Sequence, residues 1–290
     1  MIYSGIDEAG LGPILGPYCA TRVTLRSPKP LMEYLNPYQK KIFYVNDSKK
    51  VYQGVNGFKR LELNILSFYY LLNKTLPESI QNFIPTLKGE WYNDTLTIPI
   101  IANKEDIIEQ AYSIDTLFNK LEINLIEIKR SAVTAHNFNK LLDIWHNKAT
   151  VCQEIIKPLI QSSFNYNQDH TLIIDKQGGR KFYKEYLESS FNEHIDIKFE
   201  ENNLSKYSCG DIDINFQAKA DSSSFSVALA SMFSKYMREI AMISFNNYWQ
   251  KKIPSIKRTA GYYTDGIRFL KELESAGLKP KDTKSLIRKR

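Results

Sequence analysis

The chain has 290 residues, 43% hydrophobic and 12% aromatic, which is ample for a packed core and too apolar for a disordered segment. Its 39 Lys and Arg against 32 Asp and Glu give a net charge of +7, which suits a polyanionic partner without demanding one. Cys19, Cys152 and Cys209 fall in no disulfide or metal spacing, and no apolar run reaches the roughly 18 residues of a membrane helix. A secreted disulfide framework, a zinc site and a membrane span are set aside, and the expectation is a cytoplasmic protein.

The first element sets the frame. Gly5-Ile6-Asp7-Glu8-Ala9-Gly10-Leu11-Gly12-Pro13 puts two adjacent carboxylates at the end of a short apolar strand and follows them with a glycine-rich turn, an arrangement for holding a cation near a backbone. Neighbouring strand side chains point to opposite faces, so the strand is expected to end at the acids and the turn at Gly10 and Gly12 to bring Glu8 round. The competing role is an ordinary acidic turn after an edge strand. Tyr18 to Leu25 alternates, with Cys19, Thr21, Val23 and Leu25 on one face, and reads as a second, antiparallel strand. Residues 26–41 read as loop, and Asn46-Asp47-Ser48-Lys49-Lys50 ends the apolar run Ile42-Phe43-Tyr44-Val45 in a polar and basic cluster. Phe58, Leu61, Ile65, Phe68 and Leu72 repeat at helical intervals. The proline-interrupted stretch at about 75–104 reads as an irregular insertion.

A regular alternation follows: a helix from 105 to about Leu121, a strand over 123–128, and a helical stretch over about 135–159 broken near Asn147. Thr171-Leu172-Ile173-Ile174 reads as a central strand buried on both faces, with Asp175 at its carboxyl end, where sites of open α/β sheets lie. Gly178-Gly179-Arg180 turns into a helix over about 181–190, and strands follow over 195–199 and 212–216. Lys219-Ala220-Asp221-Ser222-Ser223-Ser224 opens a long helix, whose capping is the competing role for Asp221. Gly261-Tyr262-Tyr263-Thr264, a helix over about 265–276 and a tail with Lys279, Lys281, Lys284, Arg288, Lys289 and Arg290 complete the chain. The economical organisation is one domain over 1–250 carrying the insertion, with a helical extension over 251–290.

Four carboxylates, Asp7, Glu8, Asp175 and Asp221, thus stand at comparable places, and convergence would require a cation among them. Oxygen ligands without His or Cys select Mg²⁺ or Mn²⁺, and a pair of such ions roughly 4 Å apart serves phosphodiester hydrolysis. Here the chain resembles the type 2 ribonucleases H, ribonuclease HII and ribonuclease HIII. Asp7 to Pro13 with Gly16-Pro17 match that family's opening motif except at Leu11, where the family has Arg. Asp47-Ser48-Lys49-Lys50, Ile173-Ile174-Asp175, Lys219-Ala220-Asp221 with Ser231, Lys235 and Arg238-Glu239, and Gly261-Tyr262-Tyr263-Thr264 match its other motifs in order.

The resemblance implies an α/β, RNase H-like fold with a mixed central sheet and flanking helices. It implies cleavage of RNA in RNA–DNA hybrids or at ribonucleotides in DNA, with Asp7, Glu8, Asp175 and Asp221 binding two Mg²⁺ or Mn²⁺ ions; a monomer is a separate expectation. The Gly10-Leu11-Gly12 turn and Tyr262 would read the ribonucleotide, while Ser48, Lys49, Lys219 and the basic tail would meet phosphates. A nuclease acting on DNA and a non-catalytic nucleic-acid-binding relative are the alternatives.

Overall fold

The computed structural model describes residues 1–93, 96–165, 169–176, 180–279 and 283–289. The expected Gly178-Gly179 turn and the tail residues Lys281 and Arg290 lie outside them. In chain order the elements are β1 (Ile2–Ala9), β2 (Tyr18–Arg26), α1 (Leu31–Leu35), α2 (Ser48–Tyr52), α3 (Gly57–Asn73), α4 (Ile80–Phe83) and α5 (Lys104–Lys120). Then come β3 (Asn124–Val133), α6 (Ala135–Trp145), α7 (Lys148–Gln161), β4 (His170–Asp175), α8 (Lys184–Phe191), β5 (Asp196–Glu200), β6 (Leu204–Cys209), β7 (Ile212–Gln217), α9 (Phe225–Lys252) and α10 (Tyr263–Ser275).

The strands form one mixed sheet in the order β3-β2-β1-β4-β7-β6-β5. β1, β2 and β3 are an antiparallel meander, β4 runs parallel to β1 and β7 parallel to β4, and β6 and β5 return antiparallel. β6 escaped the sequence reading because its pattern, Leu-Ser-Lys-Tyr-Ser-Cys, carries little apolar signal, although Ser205 and Tyr207 point inward. Residues 26–41 are not all loop, since α1 forms within them.

Each face of the sheet has its own core. One packs α3, α5, α9 and α10 against Cys19, Val23 and Leu25. The other packs α7 and α8 against Ile6, Tyr18, Ala20, Leu172 and Ile174. β4 is buried on the second face alone: Leu172 and Ile174 are fully covered while Thr171 and Ile173 are half-buried, which corrects the expectation of two buried faces. The stretch at 75–104 is no loose appendage, because Ile80, Phe83, Ile84, Leu87, Tyr92 and Ile98 lie in the first core. α10 joins that core through Phe269, Leu270 and Leu273.

α9 lies directly on β1. A Cβ on Gly5 would stand 2.2 Å from the Val227 nitrogen, so the missing side chain is what lets the helix start cross the strand here. No helix among the described residues is long and apolar enough to cross a membrane.

Candidate active site

β1 does not end at its acids. It continues to Ala9, with Asp7 opposite Thr21 and Glu8 opposite Ala20 of β2, so alternation sends the two carboxylates to opposite faces. Asp7 takes the α9 side, where Ser234 donates to its carbonyl oxygen at 3.0 Å. Glu8 takes the α7 and α8 side, where its charge acts on Cys152 and Tyr183. The expectation that the turn swings Glu8 round is corrected, because the ladder to β2 runs past Glu8 to Ala9.

β4 brings Asp175 to the same end. Ile174 stands opposite Ile6 in the parallel register, and Asp175, one residue on, shares the α9 face with Asp7. The carboxyl of Asp7 is held well above the usual carboxylate range by burial, then by the charges of Glu8 and Asp175, with a hydrogen bond from Ser231 opposing the rise. Burial raises the Asp175 carboxyl to about 6, and Asp221 adds to the rise. The Ala220 N–H donates to Asp175 Oδ1 at 2.8 Å and, with the Lys49 charge, works against it.

Asp221 sits in a single 3₁₀ turn, Ala220–Ser222, just before α9. It does not cap the helix. That role belongs to Ser224, whose hydroxyl accepts from the Val227 N–H. Burial raises the Asp221 carboxyl and Asp47 adds to the rise, while Lys49 and Lys50 oppose it. Among the described residues none of Asp7, Asp175 and Asp221 forms an ion pair. The four acids form a chain of electrostatic neighbours, Glu8 to Asp7 to Asp175 to Asp221. As the side chains stand, no three His, Cys, Asp or Glu among the described residues gather closely enough to cage an ion.

The expected ligand-reading residues surround this row. Lys49 and Lys50 are exposed on α2, which Asp47 caps by accepting from the Lys49 N–H at 2.8 Å. Ser48 is buried instead, its hydroxyl 3.1 Å from that of Ser231. Lys219 is exposed in a left-handed conformation with φ 56°. Gly10 also has positive φ, at 95°, and a Cβ there would stand 2.6 Å from the Pro17 oxygen. Gly12 differs, since a Cβ on it would meet nothing within 4 Å. The fold thus requires glycine at 10 but not at 12, where the open space is available to a ligand. Among the described residues the N–H groups of Leu11 and Gly12 make no hydrogen bond. The Leu11 side chain packs half-buried on the second core. Tyr262, 56% exposed, follows Gly261, whose carbonyl accepts from Ile14 N–H at 2.9 Å and Leu15 N–H at 3.1 Å, placing it beside the turn.

Two buried arginines lie under the turn, Arg238, matched in the sequence only as part of a motif, and Arg288, expected there as a phosphate contact. Arg238 of α9 donates to the carbonyls of Leu15, Pro17 and Ala260. Arg288 enters from the C-terminal segment, 3% exposed, and donates to the carbonyls of Gly10 and Pro13. The basic tail is therefore not wholly a phosphate-contacting end. Nothing in the sequence separates Arg288 from its solvent-facing neighbour Lys284.

An antiparallel meander followed by two strands parallel to its first, with acids within the last turn-side residues of β1 and at the end of β4, decides the architecture. The fold is RNase H-like. No family model matches the chain, and no curated protein sequence does. Solved structures of ribonucleases H do. An RNase HII in a PCNA complex from Archaeoglobus fulgidus is 15% identical over 100% of this chain and 95% of that one, with a TM-score of 0.49. A ribonuclease H2 from Pyrococcus horikoshii OT3 is 14% identical over 99% and 92%, with a TM-score of 0.44. Bst-RNase HIII in complex with Mn²⁺ is 14% identical over 99% and 66%, with a TM-score of 0.49. At such identities and TM-scores the matches carry no argument, and the fold rests on the strand topology and the chemistry of the site on its own residues.

Proposed function

We propose that the chain is a metal-dependent endoribonuclease of the type 2 ribonuclease H kind, hydrolysing the RNA strand of RNA–DNA hybrids as a monomer. The observation that carries this is the row of Asp7, Asp175 and Asp221: neighbouring acids, unpaired among the described residues, all with raised carboxyls, with Lys49 of α2 acting on Asp175 and Asp221. Mutually repelling carboxylates on a sheet end have no structural use, and an all-oxygen donor set fits Mg²⁺ or Mn²⁺. Asp7, Asp175 and Asp221 would hold two such ions, which would supply charge for the scissile phosphate and activate a water, while Glu8, expected as a fourth ligand, stands on the opposite face and acts on Asp7 through its charge.

The remaining work belongs to the chain. Lys49 and Lys50 meet phosphates on the rim, and exposed Lys219 adds a third cation. The free Leu11 and Gly12 N–H groups can bond a ribose 2′-OH, and the exposed Tyr262 ring offers it a flat wall. Ser231 and the Ala220 N–H hold Asp7 and Asp175 in place. Three buried free thiols suit a reducing, cytoplasmic setting. The test is a cleavage assay on hybrid, single-ribonucleotide, double-stranded RNA and double-stranded DNA substrates with Mg²⁺ and with Mn²⁺. Cutting of DNA alone, or of nothing, defeats the proposal.

A further inference from the structure

Arg288 is a buried cation that the reaction does not use. It stands in a strap, residues 283–289, in which Ile287 bridges to Leu15 and the Arg288 N–H donates to the Ile14 carbonyl at 2.8 Å. From the outside Asn139 of α6 clamps the strap, donating to the Ile287 carbonyl at 2.7 Å and accepting from the Lys289 N–H at 2.8 Å. The side chain then runs inward. Its Nη2 donates to both Gly10 and Pro13 carbonyls, and its guanidinium lies 5.3 Å from the Phe138 ring centroid. Nε and Nη1 are buried with no partner among the described residues, and no carboxylate there pairs with the group.

Such a site is expensive to build. A buried guanidinium without a counterion is costly to desolvate, and here a second one, Arg238, lies close enough to lower its pKa after burial has done so. A fold that needed only to close the turn could do so with apolar side chains. What a planar fork adds is a fixed direction for the two carbonyls it holds. A trans peptide is planar, so its C=O and N–H point oppositely, and fixing one fixes the other. Holding the Gly10 carbonyl inward turns the Leu11 N–H outward, and that N–H makes no hydrogen bond among the described residues. In the Pro13 peptide the same logic is visible completed, since Arg288 holds the oxygen and Gly261 receives the Ile14 N–H at 2.9 Å.

We propose that Arg288 is a positioning residue for substrate: the C-terminal strap locks the Gly10–Leu11 peptide with its N–H presented to the ribose-bearing strand. This rests on the functional reading above, so one arm of the test is independent of activity. In full-length Arg288→Met and Arg288→Lys, amide hydrogen exchange over residues 9–17 is compared with the parent, alongside Tm, kcat and KM on a hybrid substrate. Arg288→Met is expected to exchange at least tenfold faster over that segment than elsewhere, and to lose about tenfold in kcat with KM changed less than threefold. Arg288→Lys, which keeps a donor but not the fork, is expected between the two. Unchanged exchange over 9–17 in Arg288→Met overturns the proposal, or in Arg288→Lys if the Met variant does not fold. So does a kcat loss no larger than the unfolded fraction explains. A parent that cuts no hybrid defeats the function proposed above, while the exchange comparison still decides the lock.

Discussion

Asp7 carries the most displaced acid of the site, and its environment predicts opposite effects on activity and stability. A carboxyl raised in the folded state favours its neutral form there, so its charge costs stability as pH rises above the unfolded value. Asp7→Asn should therefore raise Tm at pH 7 in the presence of a chelator, while lowering cleavage at least a hundredfold, about 3 kcal/mol of barrier. Hybrid binding, measured with the same variant, should change little, since Lys49, Lys50 and Lys219 are untouched. Cleavage near the parent rate would end the two-ion reading. Leu11 concerns specificity. Backbone groups can read a 2′-OH whatever side chain lies between the glycines, but Leu lacks the five-donor cation that grips a phosphate. The parent should cut a lone ribonucleotide in DNA slowly relative to a hybrid tract, and Leu11→Arg should raise the former rate several-fold. Its half-buried packing on the second core leaves the new side chain a route to solvent. Equal parent rates on the two substrates would sink the idea.

Among the elements, β2 holds the sheet to α7 through one wholly buried charge. Arg22 pairs with Glu127 of β3, and its Nη1 donates to the Leu159 carbonyl at 2.9 Å and to Ser163 Oγ at 2.8 Å. Burial pushes the Glu127 carboxyl up, but Arg22 and Lys129 together bring it below its ordinary value. Removing one partner strands the other, which costs about 3–5 kcal/mol for fully buried pairs. Because the Glu127 side chain is 29% exposed, Glu127→Gln should cost about 2–3 kcal/mol by urea denaturation. The double variant Arg22→Met/Glu127→Leu should recover most of that loss. A cost below about 0.5 kcal/mol for Glu127→Gln would show the pair to be idle.

At the scale of the whole molecule, a polar file crosses the sheet beneath the site. His170 Nε2 meets Ser4 Oγ at 2.8 Å, and Ser4 meets Thr24 at 2.7 Å, linking β4, β1 and β2. Burial lowers the His170 pKa from 6.5 to about 4, and the Arg22 charge adds to the fall. The folded state thus prefers the neutral ring, so this contribution is complete above pH 6.5 and is lost as pH falls towards 4, roughly 3 kcal/mol in all. The acids of the site act with the opposite sign, and the comparison must therefore be between parent and variant. The stability of His170→Gln, followed by urea denaturation from pH 7 to pH 4, should fall less steeply than that of the parent. Parallel curves would refute the assignment.

The sequence by itself determined what depends on near neighbours. Helical periodicity gave α3, α5, α9 and α10 because residues three and four apart share a face. Asp175 stood at the end of its strand because its apolar run stops where the charge begins, and Gly10 was legible because a turn there needs positive φ. The tertiary structure alone decided what depends on distant partners. Ladder pairing with β2 keeps Glu8 in the strand, β6 exists because β7 and β5 supply its hydrogen bonds, and Ser224 rather than Asp221 caps α9. Arg288 is the clearest case. In sequence it is one more cation of a basic tail, and only the docking of that tail on residues 10–15 makes it a buried clamp, because burial is a property of what lies across the gap and not of the residue itself.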